Sequence, residues 1–147
     1  MKALLQRVSS AKVEIEGQVV GKIGKGLLVF LCAVKGDTEN DLDYLVKKVS
    51  QLRIFEDVQG KMNLSVADVK GSLLVVSQFT LAASTRKGNR PSFDNAESPE
   101  RAKAMYDNFV QRIRNAGLPV DTGEFAAMMD VTLVNDGPVT IWLDSRE

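Results

Sequence analysis

Along the first 34 residues apolar and polar side chains alternate, and glycine rather than charge interrupts the alternation. Lys2–Val8 predicts a first strand and Ala11–Ile15 a second, the latter with Val13 and Ile15 on one face. Gly17 supplies a turn, Gln18–Ile23 continues the pattern, and Gly24-Lys25-Gly26 breaks it again. Leu27–Val34 is apolar on both faces, which predicts a central strand covered from two sides. A meander of short strands opens the chain.

The period changes after Gly36-Asp37. Thr38, with Asp41 three residues on, predicts a capped helix start, and Leu42, Leu45, Val46, Val49 and Leu52 follow at helical spacing on one face. Leu52–Phe55 returns to a strand pattern, Glu56–Gly60 reads as a turn before Met62–Ser65, and residues 61–70 carry no clear period. Gly71 then punctuates a strand over Ser72–Phe79. Ser98-Pro99-Glu100 predicts a second helix start, with proline at the first helical position and an acid in the first turn. Its apolar stripe is Ala102, Met105, Tyr106, Phe109, Val110 and Ile113, which reads as core, and Gly117 stops it. After Gly123, Met129–Val134 predicts a strand and Val139–Leu143 its partner. The expected fold is a single α+β domain over residues 1–147: a largely antiparallel, barrel-like meander with two amphipathic helices.

Composition narrows the chemistry. Lys plus Arg and Asp plus Glu number 19 each, so no global field draws the chain to nucleic acid or acidic lipid, and any such contact must be local. The chain has no histidine, which excludes Ser-His-Asp and Cys-His schemes and imidazole metal sites within one chain; no metal or cofactor is expected. Cys32 is the only cysteine and lies in the apolar run, so it reads as a buried inert thiol. Met1–Arg7 meets charge before a leader-like apolar stretch develops, and no run reaches membrane-span length; the expected compartment is the cytoplasm, with no membrane partner.

Three stretches carry candidate chemistry. In Val75–Leu81 an apolar run turns directly into Ser77, Gln78, Phe79 and Thr80; a ligand site at a strand end and a strand running out of core are both open readings. Residues 82–97 form a long aperiodic loop containing Arg86, Lys87 and Arg90, the densest positive charge in the chain, with Phe93 beyond them. A solvated tip and a phosphate contact stand level for these cations. Asn135-Asp136-Gly137-Pro138 is odd as a hairpin turn, because proline removes the amide that a tight two-residue turn would pair. An ordinary loop and a rigid cis-proline tip both fit it.

The pair Ser77-Gln78-Phe79-Thr80-Leu81 and Asn135-Asp136-Gly137-Pro138-Val139-Thr140 resembles the two signature motifs of the D-aminoacyl-tRNA deacylases. Gln6-Arg7-Val8, Leu52-Arg53-Ile54-Phe55, Arg90-Pro91-Ser92-Phe93 and Thr122-Gly123 extend the resemblance over nearly the whole chain. Cys32 departs from it, standing where a glycine is expected. The resemblance implies a cofactor-free, homodimeric enzyme that hydrolyses the ester joining a D-amino acid, or glycine, to the acceptor end of tRNA and spares L-esters. It implies a cis Gly137-Pro138 pair entering the partner's site, so that the site is shared across the interface. Ser77, Gln78, Phe79 and Thr80 would line the adenosine and ester pocket, Met129 would flank it, and Arg7 would hold the Gly-Pro loop. Thr80 acts there as a nucleophile or only orients a water; with no base beside it the second role is expected. A sister deacylase of L-aminoacyl-tRNA and a non-catalytic dimeric RNA-end binder are the alternative readings.

Overall fold

The computed structural model describes all 147 residues. Two of the expected first strands are one: β1 runs unbroken over Lys2–Ile15 and pairs antiparallel with β2 (Gln18–Ile23) and β3 (Gly26–Cys32). The exposed Ser9 and Ser10 look like a break in the sequence but mark a bend, absorbed by register shifts against the facing strand, after which the inward face changes parity. Hence Ala3 and Leu5 face one side of the sheet, while Val8, Ala11 and Val13 face the other.

β3 is central, as its two apolar faces predict, and ends at Cys32 rather than Val34. Its second neighbour is not the next strand of a meander. β6 (Ser72–Ser77) lies parallel to β3, and β7 (Val120–Thr122), a strand the pattern did not show, lies parallel to β6. The sheet order is β2-β1-β3-β6-β7, with β8 (Asp130–Asp144) also on β1. It is therefore mixed, although most pairings are antiparallel. A small separate ladder joins β4 (Phe55–Glu56) to β5 (Met62–Leu64).

The sheet rolls until β7 meets β2. The Lys22 amide donates to Asp121 at 2.9 Å, and a Cβ on Gly21 would stand 2.4 Å from the Thr122 carbonyl oxygen, so only glycine lets the two backbones close the roll. Inside lie Val8, Ala11, Val13, Ile23, Leu28, Leu74 and Val76. The outer face, with Leu27, Val29, Leu31, Leu73 and Val75, is covered by α1 (Glu39–Gln51) and α2 (Pro99–Asn115). α1 starts as expected, its Asp41 carboxylate accepting from the Thr38 amide at 2.8 Å, and it buries Leu42, Leu45 and Val49. Each such side chain contributes about 1.5–3 kcal/mol by burial. The Ser98 hydroxyl does not cap α2; the Ser98 amide donates instead to Glu97. No helix is long and apolar enough to cross a membrane.

The final correction concerns the Asn-Asp-Gly-Pro segment. Met129–Val134 and Val139–Leu143 do not pair with each other as a hairpin; both lie on β1, with Val134 opposite Ser10 and Trp142 opposite Leu4. Gln6 faces Thr140 and Val8 faces Asn135, so Arg7 alone stands opposite the four residues Asp136–Val139. β1 is long enough to template both halves, and the excess residues are extruded as a bulge.

Candidate active site

β6 ends at Ser77 because its pairing ends there. The Gln78 amide still donates to the Leu31 carbonyl at 2.8 Å, but its backbone (φ −140°, ψ 79°) leaves the sheet, and Phe79–Ala82 coil into one 3-10 turn. The strand expected to reach Phe79 therefore stops two residues short, and the polar motif is displayed at the corner. Cys32 packs beneath it, its thiol 3.6 Å from the Phe79 carbonyl oxygen, and burial pushes that thiol up to about 11. It is buried, as its apolar surroundings predict.

Ser77, Gln78 and Phe79, the last of them exposed at its mouth, line a pocket of about 500 Å³, and Met129 is also in the lining. Leu31, Ala33, Val76, Ala102, Phe125 and Val131 make most of the lining apolar. Few polar groups interrupt it: Ser77, Gln78, Glu97 and Tyr106. The Tyr106 hydroxyl is already committed, donating to the Val75 carbonyl at 2.7 Å, and burial pushes its pKa up to about 12. The Glu97 carboxylate is held by Arg101 at 2.8 Å. An apolar pocket with a few fixed polar groups suits a partly polar small ligand or ligand end.

Thr80 lies just outside the lining, exposed, and its hydroxyl accepts from the Gln78 side-chain amide at 2.5 Å. An amide is no general base, so nothing in reach draws the proton from Thr80. Phe79, 57% exposed, meets Phe93 edge to face with ring centroids 5.2 Å apart. That contact ties the long loop to the pocket rim.

Arg7, Gly137 and Pro138 are elsewhere in the same chain. Arg7 is buried, and its guanidinium donates to the Asp136 carbonyl at 3.1 Å and the Ile54 carbonyl at 2.8 Å. The Asn135 side chain accepts from the Val139 amide at 3.2 Å and donates to Thr140 at 3.1 Å, closing the bulge from within. The Gly137-Pro138 peptide is cis, both residues are exposed, and Gly137 has φ +129°. A Cβ there would stand 2.8 Å from Val139 Cγ2 and 3.0 Å from the Arg7 guanidinium, so backbone and space both require glycine. Ser77 aligns through Leu31 with Ala3, four residues along β1 from Arg7, which offsets the two motifs by about 13 Å along the strand direction alone, with β3 and β1 lying between β6 and β8. One chain does not bring them together.

The wall formed by Phe125, Ala126, Ala127 and Met128 was missed in the sequence. Ala126 sits at φ +65° and Met128 is 91% exposed, neither of which a propensity pattern reports. The only signal was an apolar run after Gly123 with no period. Gly123 itself admits Met129, whose sulfur would be 2.6 Å from a Cβ at that position.

The family model for D-Tyr-tRNA(Tyr) deacylase matches residues 4–144. A D-aminoacyl-tRNA deacylase from Persephonella marina is 61% identical over 146 residues, covering 99% of each chain. One from Aquifex aeolicus is 58% identical over 147 residues, covering 100% of this chain and 99% of its own. Among solved structures, one described as c-Myc DNA Unwinding Element Binding Protein superposes with a TM-score of 0.92 at 41% identity over 98% of both chains. A probable eukaryotic D-amino acid tRNA deacylase gives 0.84 at 18% identity over 97% of both, a likeness of fold. The match runs through β1, both motifs and β8 alike, and the chain belongs to the D-Tyr-tRNA(Tyr) deacylase family.

Proposed function

We propose that this chain is an ester hydrolase that releases D-amino acids from D-aminoacyl-tRNA and spares the L-esters. The observation that carries the reading is the Ser77–Phe79 corner at the mouth of an apolar pocket. The slot has the size and polarity for a terminal adenosine, which would set the ester beside Thr80. An aminoacyl ester is already activated, so positioning and oxyanion donors can suffice without a base, each good donor contributing roughly 3–4 kcal/mol. The Phe79 and Thr80 amides, first in the turn, have no carbonyl partner within it and are the candidate donors. Thr80, bonded to an amide rather than a base, orients water, with a ribose hydroxyl of the substrate assisting.

The site is completed by a second copy of the chain. The exposed Gly137-Pro138 tip is braced by Arg7 and Asn135 but stands apart from its own pocket, and it is flanked on β8 by Val134 and Trp142, 55% and 43% exposed. A homodimer that buries these two side chains of β8 would carry the tip to the partner's Phe79 corner. There a backbone wall would exclude an L side chain without needing any contact to a D one. Side-chain pockets discriminate a methyl by only about 10- to 200-fold, whereas braced backbone yields less. Glycine, with nothing to exclude, would be accepted.

Incubation with matched D-, L- and glycyl-tRNA tests this: release from the D and glycyl esters is expected, with the L-ester intact. Cleavage of the L-ester with the D-ester left intact would replace this reading with that of the L-specific sister enzyme, and equal cleavage of both would remove the chiral discrimination proposed here. Binding without any hydrolysis would favour a nucleic-acid binder, the reading suggested by the name of the 41% identical structure. Sedimentation should give twice the chain mass of 16.1 kDa.

A further inference from the structure

The loop between the 3-10 turn and α2 is unused by the chemistry above, and its charge is unexplained by the fold. Arg86, Lys87 and Arg90 are exposed, and no ion pair of the chain includes any of them, whereas Arg7, Arg101, Arg112 and Arg146 are each paired with a carboxylate. No acid occurs from Ala82 to Phe93, and Asp94 at the foot of the loop offsets one of the three charges. In a chain of zero formal net charge this is a local concentration of positive potential.

The loop is also held in place. Ser84 and Ser92 exchange two backbone hydrogen bonds, at 2.8 and 2.9 Å, which close its neck, and Gly88 turns its tip at φ +65°. Below the neck, Phe93 meets Phe79, which lines the pocket mouth. Arg90 is three residues from Phe93, so its backbone lies within about 11 Å of the backbone of the residue that contacts the rim. A cationic loop is thus fastened to the mouth of a pocket whose ligand, if polymeric, must leave through that mouth.

We infer that the Thr85–Pro91 loop binds the phosphodiester backbone of the single-stranded RNA 3′ end immediately preceding the terminal nucleoside, through Arg86, Lys87 and Arg90. This rests on the proposed function, since it takes the terminal nucleoside to occupy the pocket. Three flexible cations reach two or three phosphates, which confers affinity for the strand but no sequence preference. Each single-strand phosphate neutralised contributes about −0.7 to the slope of log affinity against log salt, so the loop accounts for about −2.

The test is the triple variant Arg86→Gln/Lys87→Gln/Arg90→Gln, with Arg86→Lys/Arg90→Lys as a charge-preserving control. Equilibrium binding of uncharged tRNA, followed by fluorescence anisotropy at several salt concentrations, needs no catalysis. The wild type should show a slope of about −2 to −4, and the triple variant should lose about 2 of it, with the control close to wild type. In hydrolysis, the ratio of KM for D-aminoacyl-tRNA to KM for D-aminoacyl-adenosine, which carries no phosphate, should rise roughly tenfold in the triple variant. An unchanged salt slope, or KM rising equally for both substrates, overturns the inference and makes the loop a solvated tip or a pocket prop. If the wild type cleaves neither substrate the deacylase reading fails, and the binding titration still decides the loop.

Discussion

Replacing Thr80 by valine removes one hydroxyl at nearly constant volume and separates the two mechanisms open to this site. The hydroxyl is exposed and accepts one hydrogen bond, from the Gln78 amide at 2.5 Å; a bond in that setting contributes little to stability, so Thr80→Val should fold as the wild type. If Thr80 only orients water or the ester, the loss is one hydrogen bond to a charged transition state, about 1.5–3 kcal/mol, or roughly 10- to 150-fold in kcat. Removal of a true nucleophile costs on the order of 10⁶-fold. A second copy of the chain brings no histidine either. Single-turnover release of labelled D-amino acid from D-aminoacyl-tRNA measures the rate, and acid quench with intact-mass analysis looks for an acyl group on the protein. A loss beyond about 10⁴-fold in a natively folded variant, or an acyl adduct mapped to Thr80, would refute the orienting role.

Tyr106→Phe leaves the buried Val75 carbonyl with only the Gly123 amide, at 3.3 Å, and should cost about 1–1.5 kcal/mol, a fall of about 3–5 °C in thermal midpoint by calorimetry. The Cys32 thiol, pushed by burial from 9.0 to about 11, should hold a thiolate population about 100-fold below that of an ordinary thiol, so a thiol reagent at pH 8 should react slowly with the native chain and quickly once it is unfolded. Asp41 is held down at about 2 by the Ser145 hydroxyl and by the Thr38 amide and hydroxyl, against 3.8 unperturbed. A depressed carboxyl gives stability that is present above its unfolded pKa and lost as pH falls through the folded one, so the acid limb between pH 4 and 2 should flatten in Asp41→Asn when midpoints are measured across pH.

What could be read from the sequence follows from what periodicity reports. α1, α2 and β3 have long, regular patterns: Leu42, Leu45 and Val49 are buried on one helix face, as their spacing requires, and both faces of Leu27–Leu31 are covered. Periodicity does not name a strand's neighbour. The parallel placement of β6 against β3 depends on the α1 crossover and on the close approach at Gly26, where a Cβ would stand 1.8 Å from the Ser72 carbonyl oxygen; neither alters the alternation within a strand. β7 is too short, at three residues, to show a period at all. The Ser77–Thr80 corner was legible because polarity changes abruptly there, whereas the Phe125–Met128 wall was not, because apolar residues on an irregular backbone look like any loop.

The Asn-Asp-Gly-Pro segment shows how a local misreading and a functional reading can share one cause. Turn-like residues between two apolar stretches predict a hairpin, in which Pro138 would disturb the pairing of the flanking strands. The actual template is β1, which pairs with Val134 on one side of the segment and Trp142 on the other, so the two stretches never need each other. Four residues are then left opposite one, and that one is Arg7. A buried guanidinium must spend its donors, and the carbonyls of Asp136 and Ile54 take them at 3.1 and 2.8 Å, with the Asp136 carboxylate a further 3.4 Å contact. The extruded tip is therefore anchored at its base and exposed at Gly137 and Pro138, about 13 Å along β1 from the level of the chain's own Ser77. A braced tip that its own fold does not cover, on a strand that also exposes Val134 and Trp142, fits the dimer proposed above. In the proposed dimer the same extrusion that breaks the hairpin pattern supplies the wall of the partner's site.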